Sequence, residues 1–193
     1  MKNKTCCFSG HRKMSEEKSK VYEKLNKQIN ILINEGYDTF ICGGALGFDT
    51  LCALAVLKAK DNNECIKLVL ALPCENQTEN WRQNDIDIYN SIIEKSDKVI
   101  YTSSQYYKGC MHVRNRFMVD NSSCCICYLN MAVDKFSYIS LLSQRLIVLV
   151  DSTDSDLYDF ENLLTDIRLT AEELNNCCVA YSEMLEKFVE SQR

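Results

Sequence analysis

The sequence is poor in residues that interrupt regular structure, with one proline and six glycines among 193 residues. It has no apolar run long enough to span a membrane, and too few residues precede the first strand-like segment to form a signal peptide. We therefore expect a cytoplasmic protein without a membrane partner. Hydrophobic residues make up 46% of the chain, which excludes a disordered protein, and the length suits one domain.

An excess of basic charge is also missing, because 27 acidic and 22 basic side chains give a net charge of −5. A general nucleic-acid binder normally has a basic face, so nucleic acid is an unfavoured partner. Cysteine, by contrast, is abundant, with twelve residues. In a reducing cytoplasm we expect buried free cysteines. Adjacent cysteines in a strand point to opposite faces, so neither Cys6-Cys7 nor Cys124-Cys125 chelates a metal as a unit, and we predict no metal site.

Several catalytic and cofactor motifs are missing. The chain has no G-x-x-x-x-G-K-[ST] loop of P-loop ATPases, and its glycines do not fit the G-x-G-x-x-G pattern of dinucleotide oxidoreductases. No serine occupies a G-x-S-x-G nucleophile elbow. We therefore predict no catalytic residues and no cofactor.

Strand-like and helix-like segments alternate along the first 150 residues. Their hydrophobic spacing predicts strands at 4–8, 38–42, 66–72, 98–101, 124–129 and 146–150. It predicts helices from Ser15, a plausible N-cap, to Gly36 and at 50–60, 79–94, 111–119 and 135–143.

This alternation predicts an α/β fold, a single Rossmann-like three-layer domain with a mostly parallel sheet and a C-terminal helix. The domain would cover residues 1–193, with a core at about 4–150 and a helical C-terminal extension at about 157–193. The sequence Thr170-Ala171-Glu172-Glu173 forms a capping box for the last helix.

Three of the six glycines lie within five residues, in the segment Gly43-Gly44-Ala45-Leu46-Gly47-Phe48-Asp49. This segment follows the second expected strand and precedes a helix. Glycine allows positive φ and close approach to the backbone, and a helix N-terminus favours an anion. The turn is therefore predicted to bind a phosphate or a carboxylate.

Rare and polar residues gather after four of the expected strands, at the edge where parallel sheets bind ligands. These clusters hold both histidines, the tryptophan, the proline and five of the six glycines. The predicted ligand-binding residues are Gly10, His11, Arg12, Gly43, Gly44, Ala45, Gly47, Phe48, Asp49, Pro73, Cys74, Gln77, Trp81, Tyr107, Arg114 and Asn115.

Several of these residues have a structural alternative. Arg12 either contacts an anion or is a solvated loop arginine, and His11 more simply caps a strand end than acts as a base. Trp81 either fills the core or stacks on a base. Asp49 either interacts with the helix dipole or accepts a hydrogen bond from a ribose hydroxyl. Arg114 shares a helix with the arginine two positions later, so at most one of them faces the pocket.

Taken in order, these motifs resemble the YpsA-like branch of the SLOG superfamily. The resemblance covers roughly residues 5–150 and rests on Cys7-Phe8-Ser9-Gly10-His11-Arg12, the turn from Gly43 to Asp49, Pro73-Cys74-Glu75-Asn76-Gln77 with Trp81, and residues 107–120. It implies a Rossmann-like fold that binds nucleotides or nucleotide-derived ligands over the glycine turn. Many members are thought to sense or sequester such ligands, often in stress or phage-conflict settings.

The chain departs from the family pattern at one position. YpsA-like proteins usually carry a second glycine loop, D-G-x-x-G-G-T, after the fifth strand, whereas residues 128–135 contain no glycine. The P-G-G-x-G-T-x-x-E signature of the related LOG phosphoribohydrolases is also missing. The acidic charge weakens single-strand DNA binding of the kind seen in the related DprA proteins.

The leading hypothesis is a protein that senses or sequesters a nucleotide-derived ligand, such as an ADP-ribose-type or cyclic nucleotide signal, without strong catalysis. One alternative is an N-glycosidase or phosphoribohydrolase in which Asp49, Glu75 or His11 supplies the acid or base. Another is a protein-interaction module with a vestigial pocket. A homodimer or higher homo-oligomer is compatible with either binding interpretation.

Overall fold

A computed structural model of the chain describes residues 3–14, 17–129 and 146–150, all of which lie in the structural unit Met1–Thr153. Within these residues, strands and helices alternate up to β5, and β6 is the last element. In chain order the elements are β1 (Thr5–Gly10), α1 (Lys18–Asn34), β2 (Thr39–Cys42), α2 (Phe48–Asn62), β3 (Lys67–Leu72), α3 (Gln83–Lys95), β4 (Lys98–Tyr101), α4 (Cys110–Asp120), β5 (Cys124–Leu129) and β6 (Leu146–Val150).

The six strands form one parallel sheet in the order β4-β3-β2-β1-β5-β6. From β1, the sheet extends on one side through β2 and β3 to β4. Strand β5 pairs with the other side of β1. The strand order therefore reverses between β1 and β5, the point at which doubly wound sheets bind their ligands. The predicted α/β, Rossmann-like sheet is confirmed.

Side chains of the central strands alternate between two hydrophobic cores. Cys6 and Phe8 of β1 belong to the core that contains residues of α1, α2 and α3, whereas Cys7 belongs to the core that contains Met118 of α4. Both faces of the sheet are therefore covered by helices, which explains why the strands are apolar throughout rather than alternating with polar residues.

The amphipathic pattern that predicted α1 matches its packing. Val21, Leu25, Ile29 and Leu32 recur at helical spacing and are all buried. The predicted N-cap Ser15 lies outside the described residues, as do the predicted helix at 135–143 and the C-terminal extension. The structure instead starts α1 at Lys18, after Glu17.

Several predicted boundaries differ from the structure, and two of them bear on the carboxyl edge of the sheet. Strand β1 continues to Gly10, so Ser9 and Gly10 lie in the strand rather than after it, because β5 pairs with β1 along that length. Helix α3 begins at Gln83 instead of residue 79. The preceding segment forms turns, in which Trp81 N donates to the Thr78 oxygen at 2.9 Å.

The cysteines behave as small core residues. All ten that the structure describes are free thiols, and nine of them are buried, the exception being Cys65. Cys124 and Cys127 have the C-x-x-C spacing of many metal sites, but they belong to opposite cores because three positions along a strand change its face. No group of three metal-ligating side chains occurs among residues 3–14, 17–129 and 146–150, and no helix within those ranges is both long and apolar enough to cross a bilayer.

Asp97 joins the start of β4 to β3 and α2. Its carboxylate accepts hydrogen bonds from Leu68 N at 2.8 Å and from Lys60 Nζ at 2.6 Å, and its own backbone N–H donates to the Leu68 oxygen at 2.9 Å. Partial burial raises the pKa of Asp97, but the bonds from Lys60 and Leu68 outweigh it, so the net pKa is lowered.

We expect Asp97→Asn to lower the free energy of unfolding by about 1 kcal/mol at neutral pH. Because the pKa is lowered by folding, the carboxylate stabilises the protein above its unfolded-state pKa, and this contribution is lost as the pH falls through the folded-state pKa. Urea denaturation at neutral pH and at about pH 3 measures the difference from wild type, which should shrink in acid. The exposed Asp61→Asn is the control, and an undiminished difference at the lower pH would contradict the assignment.

Candidate functional site

The clusters predicted at the strand ends meet at the carboxyl edge of the sheet. Gly10 ends β1, the Gly43–Gly47 turn joins β2 to α2, Pro73 follows β3, and Gly109 immediately precedes α4. Since all the strands are parallel, these segments lie along the same edge.

The end of β1 packs directly on the glycine turn. A Cβ at Gly10 would overlap the ring of Phe48, and a Cβ at Gly47 would overlap the backbone of Arg12. Phe48 N also donates to the His11 oxygen at 3.2 Å. Both glycines are therefore needed for the close approach of two loops, and Gly10, His11, Arg12 and the turn come together as predicted.

The backbone of the turn is held in a conformation that favours glycine. Gly44 and Gly47 have φ of +66° and +89°, in the left-handed region. Gln77 Nε2 donates to the Gly44 oxygen at 3.1 Å, and Thr50 Oγ1 donates to the Ala45 oxygen at 3.0 Å. Two turn carbonyls thus accept side-chain hydrogen bonds from outside the turn.

A buried ion pair lies against the same turn. Asp49 Oδ2 accepts from Ala45 N at 3.2 Å and from Arg114 Nη1 at 3.3 Å, and each of the two charged residues is 7% exposed. The Arg114 guanidinium occupies the place that a Cβ at Gly43 would take. Arg114 Nε has no hydrogen-bond partner within the described residues.

Burial dominates the electrostatics of this pair. Loss of water raises the pKa of Asp49, while Arg114 and the Ala45 N–H oppose the rise. Through its hydrogen bond from Ala45 N, the Asp49 carboxylate stabilises the turn. Asp49 therefore has a structural role in addition to the interaction with the helix dipole that was considered from the sequence. Arg116 is exposed, so the two arginines of α4 face different directions, as expected.

Trp81, in the loop after β3, packs against Tyr89 of α3. The ring of Trp81 meets that of Tyr89 edge-on, with 5.3 Å between the ring centroids, and Trp81 is partly buried against the core. Burial raises the pKa of Tyr89 to about 12, although a hydrogen bond with Gln77 opposes the rise. Gln77 therefore links this aromatic pair to the Gly44 carbonyl.

The remaining predicted residues are less closely joined to the turn. Tyr107 is 46% exposed, and Asn115 of α4 is half-buried. The thiols of Cys74 and Cys110 are both buried, and burial, together with the neighbouring Cys110 thiol, raises the pKa of Cys74. A raised thiol pKa makes a reactive nucleophile at Cys74 unfavourable at neutral pH.

Sequence reasoning missed two residues that shape the turn. Thr50 holds the Ala45 carbonyl and Tyr89 supports Gln77 and Trp81. Thr50 stands in the first turn of α2, where a hydroxyl commonly bonds nearby backbone, so its position was a usable signal. Tyr89 lies in the middle of α3, and nothing local to it marks the contact.

The comparisons with known proteins identify the family. The family model described as the YspA SLOG family matches residues 7–144. The chain therefore belongs to that family.

Curated relatives match over a shorter range. A UPF0398 protein of Halalkalibacterium halodurans is 29% identical over 104 residues, which cover 53% of this chain and 55% of the relative. A UPF0398 protein of Brevibacillus brevis is 25% identical over the same shares, and one of Listeria monocytogenes serotype 4a is 25% identical over 58% of this chain and 62% of the relative. The chain thus spans a little more than half the length of the curated relatives that it matches.

Substitutions in the Asp49–Arg114 ion pair test whether Arg114 balances the buried carboxylate beside the turn. We expect Arg114→Met to lower the free energy of unfolding by about 3–5 kcal/mol, because it leaves the Asp49 carboxylate buried without its cation. The double variant Asp49→Asn with Arg114→Met should lose less, since no buried charge remains and the new amide oxygen still accepts from Ala45 N. Urea denaturation followed by circular dichroism measures both values.

The exposed Arg116→Met, two residues along the same helix, is the control and should cost less than about 1 kcal/mol. Equal losses in the single and double variants would show that Arg114 does not serve to balance Asp49.

Proposed function

We propose that this member of the YspA SLOG family binds a nucleotide-derived ligand, such as an ADP-ribose-type or cyclic nucleotide signal, and senses or sequesters it without strong catalysis. The observation that carries the proposal is the construction of the glycine turn. Its backbone is held by Gln77, Thr50 and the Asp49–Arg114 pair at the edge where parallel sheets bind ligands.

The N-terminus of α2 supports phosphate binding at this turn. The helix begins at Phe48 after Gly47, and no side-chain hydrogen bond caps it. Free N–H groups and the helix dipole attract an anion. Asp49, the acidic residue of this first turn, would oppose an anion, but Arg114 balances its charge. In the proposal Arg12, exposed on the adjoining loop, supplies the cation that meets the phosphate.

Aromatic side chains at the same edge support recognition of a base or ribose. Trp81 is held edge-on by Tyr89, and Tyr107 presents an exposed ring after β4. Aromatic faces stack on bases of any identity, so these rings suit a nucleotide without specifying its base. In the proposal the phosphate lies on the turn and one of these rings meets the base.

The hydrogen bonding of Asp49 and the exposure of Glu75, two candidates for a general acid or base, favour ligand binding over hydrolysis. Asp49 Oδ2 already accepts two hydrogen bonds, and Glu75 is exposed to solvent. A general acid or base works best when it is within reach of the reacting group and has a pKa near neutrality. The proposed role is therefore ligand capture, and hydrolysis of a nucleotide is the competing activity.

The proposal includes the setting of the protein. It acts on a small molecule in the cytoplasm, with neither a membrane nor nucleic acid as partner. Its family resemblance suggests stress or phage defence, and a homodimer or higher homo-oligomer is compatible with the pocket. The acidic net charge of −5 supports the choice of a small ligand over nucleic acid.

Isothermal titration calorimetry with ADP-ribose, cyclic ADP-ribose isomers and cyclic oligonucleotides tests the proposal. We expect saturable binding of at least one ligand, and we expect Arg12→Ala to weaken it about tenfold or more, because a charged hydrogen bond contributes about 1.5–3 kcal/mol. The control is Lys27→Ala, which removes an exposed cation from α1.

Absence of binding by the whole panel would contradict the proposal. Chromatography of the titrated samples gives a second readout, since release of free base would replace the binding role with hydrolysis.

A further inference from the structure

A cleft of about 760 Å³ has the end of the glycine turn, Leu46 and Gly47, in its lining. Its walls come from the loop between β1 and α1, the first residues of α2 and the start of α3. Gly43, Gly44 and Gln77 do not line it, and it shares only Arg12 and Gly47 with the predicted ligand-binding residues. The cleft therefore adjoins the nucleotide site proposed above and shares with it Arg12 and the N-terminus of α2, but its remaining cations lie outside that site.

The cleft concentrates positive charge in an acidic chain. Among the described residues, Arg12, Lys13, Lys18 and Arg82 line it with a single carboxylate, Asp85, although the whole chain carries a net charge of −5. All four cations are exposed, and none forms an ion pair within the described residues. Four cations that share one cleft with a single described carboxylate repel one another, and an anionic ligand would relieve that repulsion.

Three helices begin beside the same cleft. Lys18 is the first residue of α1, Gly47 immediately precedes α2, and Arg82 immediately precedes α3. Among the residues that the structure describes, no side chain forms a hydrogen bond that caps any of these three N-termini. The positive ends of three helix dipoles therefore add to the field of the four cations.

The size and charge of the cleft select the class of ligand. Ligand pockets usually measure about 300–1,000 Å³, so this volume exceeds what one phosphate ion needs. Cations from three separate segments suit an anion with charges spread along its length. We propose that the cleft binds a linear oligophosphate group, either as free inorganic oligophosphate or as the di- or triphosphate tail of a nucleotide.

Calorimetric titration with tripolyphosphate, pyrophosphate and orthophosphate tests this inference. We expect saturable binding of tripolyphosphate at one site, weaker binding of pyrophosphate and the weakest binding of orthophosphate. The order reflects the number of charges that reach the four cations, so raising the salt concentration should weaken binding.

The triple variant Lys13→Ala, Lys18→Ala and Arg82→Ala should weaken tripolyphosphate binding by about tenfold or more. The matched control combines Lys27→Ala, Lys98→Ala and Lys108→Ala, three exposed cations outside the cleft. Both triple variants lower the net charge of the protein by three. Equal weakening of tripolyphosphate binding by the two variants would show that the effect comes from overall charge, and it would overturn the inference. Arg12 is left unchanged, since it also belongs to the proposed nucleotide site.

Further titrations separate the source of the phosphate groups. If ATP and tripolyphosphate bind with equal affinity, the nucleoside contributes nothing, which supports free oligophosphate as the ligand. If ATP binds with higher affinity, the result supports the phosphate tail of a nucleotide. Tighter binding of a dT oligonucleotide than of tripolyphosphate would overturn the inference in favour of a phosphodiester chain.

The test is independent of the nucleotide proposal. Failure of tripolyphosphate to bind the wild-type chain overturns the inference even if ADP-ribose binds.

Discussion

The buried ion pair between Asp49 and Arg114 is the interaction on which the carboxyl edge of the sheet depends. Asp49 lies in the first turn of α2, which packs on one face of the sheet, and Arg114 belongs to α4, whose residues pack on the other. The pair therefore joins the two helical layers around the end of β2. Gly43 is the residue that leaves room for it, since a side chain there would overlap the guanidinium. Pairs of this kind contribute more to a specific arrangement than to net stability.

The glycines that suggested a phosphate cradle also solve packing problems. Gly10 makes room for Phe48, Gly44 for Leu72 and Gly47 for the backbone of Arg12. These contacts bring the β1 loop, the turn and β3 close together, and the hydrogen bonds of the turn then hold its backbone. In the proposed function, close packing and anion binding do not compete, because a turn that is already rigid needs little reorganisation when a ligand binds.

The edge of the sheet divides into two electrostatic environments. At the turn, the Arg114 guanidinium balances the charge of the Asp49 carboxylate. In the adjoining cleft, the exposed cations Arg12, Lys13, Lys18 and Arg82 form no ion pairs in the described part of the chain. An acidic protein can therefore offer two unlike surfaces to phosphate groups, one shaped by the backbone and one dominated by charge.

Local sequence was sufficient for the α/β fold and for the place of the glycine turn. Apolar runs and helical spacing such as that from Val21 to Leu32 report directly on burial, and the carboxyl ends of parallel strands necessarily share an edge. The predicted start of α3 was wrong because turns and the first residues of helices have similar amino-acid composition. Asp49 and Arg114, 65 positions apart, could not be paired from sequence, nor could Lys18 and Arg82 be placed in one cleft. Those contacts follow from the strand order and helix packing, which only the tertiary structure decides, because local periodicity carries no information on which distant segments become neighbours.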